Sequence, residues 1–297
     1  MYPVLLEIGP IQISSFGAMI VAAFLATNYF LKKKFIHYGY NPEYADDIIF
    51  RAALGGILGA KIYYLLENIG NGAYENIYGI VDIFYGIVSF NATLISEGIM
   101  AFGGGLVFLG GLIGGLILVS HYIIKKSLDW LTMADIIAPL IALGHAIGRI
   151  GCLLVGDDYG VPTNLPWGMS FPNGLPPTTF ESFRLNYPDV FYSDLFQTTY
   201  SAGDVIAVHP TQIYEMVLYF FIYLFLNKML HKKRFNGEIF MNYLFLAGFA
   251  RFMVEFIRVN PKYLLDLSGA QIISIGMMIL ATAFHYYSRV YCKDAKS

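Results

Sequence analysis

Charge is scarce in this chain. Charged residues fill 13% of its 297 positions and apolar ones 57%, where a soluble domain carries about a quarter charged. Too few polar groups remain to coat a water-facing globule of this length. The shortage is also patterned, with long apolar runs alternating with short polar ones, as in a polytopic helical membrane protein. Cysteine is nearly absent. Cys152 and Cys292 are the only two, and neither has a second Cys or a His at ligand spacing, so neither a disulfide framework nor a structural zinc is expected. The first ten residues hold no Lys or Arg. Without a basic n-region the first apolar run reads as a retained anchor rather than a cleaved signal peptide. No repeat, low-complexity tract or basic stretch suited to nucleic acid is present.

Seven runs are long enough to span a bilayer at roughly 20 residues each: 11–31, 46–66, 101–124, 131–155, 209–230, 239–258 and 269–289. Twelve of the nineteen Lys and Arg residues fall on one side of these runs: Lys32, Lys33, Lys34, Lys125, Lys126, Lys228, Lys232, Lys233, Arg234, Arg289, Lys293 and Lys296. The opposite connections carry only Arg184 and Lys262. By the positive-inside bias the twelve-cation side is cytoplasmic. The expected fold is therefore an all-α integral membrane protein with seven transmembrane helices, N-terminus outside and C-terminus cytoplasmic. Its two cysteines then lie at opposite faces. Segment 157–208, with six acids against one cation and six of the twelve prolines, is expected to form a small extracytoplasmic head inserted in one membrane domain, 1–297. Trp167, Phe171, Phe180, Phe183, Phe191 and Phe196 would supply its core. Segment 67–100 holds no cation, and its apolar stretch around 78–90 is too short to span.

The remaining five cations, Arg51, Lys61, Arg149, Arg251 and Arg258, fall inside predicted spans. An intramembrane charge costs several kcal/mol and needs a reason. Arg51 is near a cytoplasmic end and can snorkel. Arg251, Glu255 and Arg258 are spaced to share one helical face. One pairing there is a structural ion pair, and the surplus positive charge then calls for an anion. His145 and Arg149 share another face, followed by Asp157 and Asp158. His209, Gln212, Tyr214 and Glu215 open the fifth run. The glycines of the third run suit tight helix packing, with Gly104, Gly105, Gly110 and Gly111 also able to offer backbone to a lipid. Arginine clusters suit planar, bidentate recognition of phosphate, and the abundant phosphate at the membrane surface is a phospholipid headgroup.

Four motifs carry a resemblance: GGLVFLGGLIGG at 104–115, G-R-x-G at 148–151 with Gly160 closing it, HPTQIYE at 209–215 and RFMVEFIR at 251–258. Together, in this order, they resemble the bacterial prolipoprotein diacylglyceryl transferases. The resemblance implies seven transmembrane helices, a head between the fourth and fifth, and a site at the extracytoplasmic face of the cytoplasmic (inner) membrane. It implies transfer of diacylglycerol from phosphatidylglycerol to the thiol of a prolipoprotein lipobox cysteine, with release of glycerol 1-phosphate and no cofactor. Carried over by position, Arg149 binds the phosphate, and Arg251 with Glu255 shapes the site. The chain departs from the family pattern G-R-x-G-N-F-x-N-x-E-x-x-G: Cys152 and Val155 stand for the two Asn and Asp157 for the Glu. Leu109 stands where the family often has His or Tyr, and Phe16 where it has Tyr.

The resulting expectation is a diacylglyceryl transferase. Asp157 is first choice for the proton-accepting group, with His145, Arg251 and Glu255 as the other catalytic candidates. Arg149, Arg258, Asp158, His209, Gln212, Tyr214, Glu215 and the four glycines are expected to bind substrate. Two other readings stay open on the residues: a transferase using the same phosphate cradle for another acceptor, and a non-enzymatic lipid or solute transporter.

Overall fold

Alternation of apolar and polar residues in Ile11–Ser14 makes a strand, and it pairs with Val4–Ile8 in a two-stranded sheet, β1-β2. The first predicted span therefore starts four residues late, at Ser15. The computed structural model describes residues 2–8, 11–69, 73–103, 105, 107–263 and 265–294. Its helices are α1 (Ser15–His37), α2 (Glu43–Glu67), α3 (Ala73–Val88), α4 (Ala92–Gly103), α5 (Phe108–Lys125), α6 (Trp130–Val155), the short α7 (Phe180–Asn186), α8 (Pro188–Phe191) and α9 (Asp194–Thr199), then α10 (Thr211–Met229), α11 (Glu238–Glu255) and α12 (Gly269–Asp294). Six of the long segments, those of α1, α2, α5, α6, α10 and α12, are long and apolar enough to cross a membrane. The 18 residues of α11 are charged at Glu238, Arg251 and Glu255, which keeps it out of that set.

Two compact units divide the chain. One comprises Leu6–Gln12 and Asn28–Trp130. Here α2 crosses α5 at backbone distance. A Cβ on Gly55 would stand 2.5 Å from the Gly114 carbonyl oxygen, and one on Gly59 would collide with Gly110. The predicted 101–124 span is in fact broken. Gly105 takes a φ of +69°, where a side chain would also strike the Tyr64 ring, so α4 ends and α5 begins on either side of it. Lys61, buried in α2, donates from Nζ to Asn76 of α3 and, at 2.5 Å, to the Phe102 carbonyl of α4. Through these two contacts it ties α2 to the α3–α4 hairpin. Arg51 pairs with Asp47 at 2.8 Å and lies 4.1 Å over the Tyr122 ring.

The other unit holds the described residues of Met1–Leu5, Ile13–Thr27 and Leu131–Ser297. The buried Asp135 of α6 accepts the backbone N–H groups of Gly237, Ile239 and Phe240 at 2.8, 2.9 and 3.0 Å and the Lys233 ammonium at 3.1 Å. A carboxylate on a helix N-terminus satisfies its orphan donors and its dipole, so α6 fixes where α11 starts. At the other end of these helices, Tyr159, Phe171, Phe183, Phe191, Phe196, Ile206 and Val208 form the core of the 157–208 segment. Phe180 packs against that core half-buried. Trp167 does not join it, being 56% exposed, because its indole N–H is used elsewhere. The backbone bridge Gly160–Arg258 fastens the segment to the chain just past α11, and Pro162–Val208 joins its beginning to its end before α10.

Candidate active site

Helix α6 turns out of its last turn at Gly156, with φ +76°, into a loop carrying Asp157 and Asp158. The main chain of that loop is held from α10: Thr211 Oγ1 donates to the Asp158 carbonyl and Gln212 Nε2 to the Asp157 carbonyl, each at 2.5 Å. Gly160 N–H reaches the His209 carbonyl at 2.9 Å and Val161 N–H the Ile257 carbonyl at 2.8 Å. The HPTQ motif thus works partly as a clasp. A Cβ at Gly160 would press on the Ile257 carbonyl and on His209, which explains the glycine closing the motif.

Under this loop three arginines meet. Glu215 of α10, with 1% of its side chain exposed, is their common acceptor. It ion-pairs with Arg149 Nε, with Arg251 Nη1 at 2.7 Å and with Arg258 Nη1 at 3.7 Å. Glu255, equally buried, holds Arg251 Nη2 at 3.0 Å and Arg258 Nε at 3.8 Å, and accepts from Asn260 Nδ2 at 2.7 Å. Asp158 spans the remaining gap, with Oδ2 2.6 Å from Arg149 Nη1 and Oδ1 2.5 Å from Arg258 Nη2. Arg258 Nε and Nη1 are buried without a hydrogen-bond partner among the described residues.

This pairing corrects the expected surplus of positive charge. Three guanidiniums face three carboxylates, because Glu215 and Asp158 arrive from other elements. The shared helical face is corrected too: α11 ends at Glu255, and Arg258 lies beyond it on the Gly160 bridge. His145 stacks on Tyr219 with ring centres 3.7 Å apart, its Nε2 3.5 Å from Glu215 Oε2 and 3.4 Å from Arg149 Nε. The buried Cys152 has Sγ 3.5 Å from Arg149 Nη1.

The two loop acids differ. Burial, then repulsion from Asp158, pushes the Asp157 carboxyl up to about 6, and its Oδ1 is buried with no hydrogen-bond partner among the described residues. Burial works on Asp158 as well, but Arg258 and Arg149 outweigh it and hold that carboxyl below the usual range. The two neighbouring carboxyls are thus shifted in opposite directions. Ligand atoms of Cys152, Asp157 and Asp158 lie within 4.8 Å of one another, yet two guanidiniums already on Asp158 make poor company for a cation.

His209 and Tyr214 stand at the rim, His209 Nδ1 3.3 Å from the Tyr214 hydroxyl, which accepts from the Trp167 indole at 2.8 Å. Gly105, Gly110 and Gly111 belong to the other unit, the latter two where α5 meets α2. Gly104 lies outside the described residues, and the side chain of Cys292 does too. Leu109 and Phe16 are exposed. Sequence reasoning missed Thr211, Tyr219, Asn260 and the role of Trp167. Thr211 sits inside a quoted motif, and the other three had no local signal.

The chain matches the profile of the family described as prolipoprotein diacylglyceryl transferase over residues 3–287. It is 33% identical to the phosphatidylglycerol–prolipoprotein diacylglyceryl transferase of Clostridium tetani, over 94% of this chain and 95% of that protein. A protein of the same name from Bordetella parapertussis is 30% identical over 96% and 95%, and one from Aliivibrio salmonicida 28% over 99% and 91%. Profile, relatives and apolar helices agree: the chain belongs to the prolipoprotein diacylglyceryl transferase family, membrane transferases of lipoprotein modification.

Proposed function

We propose that this protein transfers the diacylglyceryl group of phosphatidylglycerol to the lipobox cysteine of a prolipoprotein and releases glycerol 1-phosphate. The observation that carries this reading is the largely buried arginine group of Arg149, Arg251 and Arg258 gathered under the loop of Asp157 and Asp158, in a chain of this family. The substrate thiolate attacks C3 of the diacylglyceryl unit. A sulfur–carbon bond forms, the C3–oxygen bond breaks, and its electron pair leaves on the phosphate as a monoester. Arg149 and Arg258 hold the phosphate oxygens, and the charge gathering on the departing oxygen is stabilised by donors already in place. Arg251 and Glu255 keep Arg258 and Glu215 oriented. Asp157 accepts the thiol proton, since the thiolate is the nucleophile. His209 and Tyr214 line the approach, and Gln212 holds the loop that carries Asp157.

The same reading includes α11 as a seventh span, the N-terminus and the 157–208 head outside, and the site at the extracytoplasmic face of the inner membrane. The positive-inside pattern supports it. So does the gathering of every charge in the site at one end of α6, α10 and α11, which does not suit a transport path through the bilayer. Complementation tests the function. Expression of this chain in a strain depleted of its own diacylglyceryl transferase should restore growth and lipoproteins whose mass includes the diacylglyceryl group. Restored export of unmodified precursors, with no mass gain, would sink the proposal.

A further inference from the structure

Asp158 differs from every other acid around the arginines. Its side chain is 41% exposed, against 1% for Glu215 and Glu255, so of the three acids ion-paired with the arginines it alone can leave into water. Its two oxygens bridge guanidiniums from two different elements, Arg149 at 2.6 Å and Arg258 at 2.5 Å. Two oxygens of a phosphate would make the same bridge. The loop does not depend on this side chain, because Thr211, Gln212, His209 and Ile257 all hold it through main-chain atoms. Charge also forces a choice. With Asp158 in place, the three guanidiniums are already matched by three paired carboxylates, with Asp157 beside them, and a lipid phosphate added there would leave a net negative charge at a mostly buried site, which is costly at low dielectric.

We propose that Asp158 is an internal anion that holds the Arg149–Arg258 pair in the free enzyme, yields it to the lipid phosphate on binding, and returns to displace the phosphate monoester product. This rests on the reading above that these arginines hold the phosphate. The return stroke matters because a phosphate monoester carries about 1.5 to 2 negative charges at neutral pH and the phosphodiester only one. Without a competitor the arginines would hold product more tightly than substrate.

The test uses glycerol 1-phosphate as probe on the full-length detergent-solubilised protein, together with steady-state transfer from phosphatidylglycerol to a lipobox peptide. Asp158→Asn keeps the size and the left-handed backbone (φ +59°), which Asn tolerates, and removes the charge. Asp158→Gly is the second variant. Both should bind the probe about tenfold or more tightly, the scale of one charged hydrogen-bond pair no longer competing. KM for the lipid and kcat should fall together, with stronger product inhibition. A merely structural Asp158 would lower kcat with probe affinity unchanged or weakened, and that result overturns the exchange while leaving the arginine cradle standing, provided Arg149→Ala loses the probe. Equal probe binding by Arg149→Ala and the unaltered protein would overturn both.

Discussion

Replacing Glu215 by Gln should be among the most damaging single changes in the chain. The carboxylate is 1% exposed and, among the described residues, is the one acid paired with all three arginines, with His145 3.5 Å away. Gln removes the charge and turns an N–H₂ donor toward guanidiniums that offer only donors. Removing one partner of a buried ion pair costs about 3–5 kcal/mol, because the other partner is left charged and unpaired. Folded proteins hold only about 5–15 kcal/mol of stability in total. Glu255 and Asp158 would still serve Arg251 and Arg258, which argues for the lower part of the range. The assay is thermal unfolding in detergent, with transfer activity measured on the same samples. Glu215→Gln should melt several degrees lower and be inactive. Adding Arg251→Met should recover part of the stability, with a coupling of about 1–3 kcal/mol between neighbours, and no activity. Unchanged melting for Glu215→Gln, or strictly additive losses in the double variant, would refute the charge-balance reasoning.

Arg149→Ala should cut transfer roughly a hundredfold or more while the protein stays in the membrane, from the loss of a charged hydrogen bond to phosphate. Arg149→Lys should rescue it poorly, since an ammonium lacks the planar fork. Normal transfer by the Ala variant would remove Arg149 from the cradle. Asp157, with its carboxyl raised to about 6, loses its proton only as pH rises through that value, so transfer should fall as pH drops below about 6. Asp157→Asn should erase this limb and cost about a hundredfold or more, exceeding His145→Gln and Leu109→Ala. An active Asp157→Asn beside a dead His145→Gln would give the role to the histidine. A cysteine introduced at Asn173 should react from outside intact cells with a reagent that does not cross membranes, and labelling only after permeabilisation would reverse the orientation.

Long elements were legible because their signal is local. The spans read at 46–66, 131–155 and 269–289 lie within α2, α6 and α12, and an apolar run of that length has few alternatives in a helical membrane protein. The third span was legible too, as α5, but it starts seven residues later than read because of the backbone torsion at Gly105, which composition does not reveal. The Arg251–Glu255 pairing was visible from helical spacing. The pairing of Arg149 with Glu215, and the bridge from Asp158 to Arg258, join residues 66 and 100 positions apart on separate elements. No local pattern reports such partners, so the cations looked unbalanced. Lys61 looked like part of that group for the same reason, and it belongs instead to the α3–α4 hairpin. Trp167 was expected in the head core from its size alone, and its N–H, which seeks a partner when placed near a polar rim, took it to Tyr214.

The proposed transfer requires that the carbon–oxygen bond on the lipid side of the phosphate breaks and that the new bond is to sulfur. Purified protein, vesicles containing phosphatidylglycerol with a labelled headgroup, and a synthetic lipobox peptide test it directly. One glycerol 1-phosphate should be released for each peptide that gains a thioether-linked diacylglyceryl group, and neither product should form with a peptide that has Ser in place of Cys. Headgroup release as free glycerol, or lipid movement between vesicles with an unmodified peptide, would contradict it.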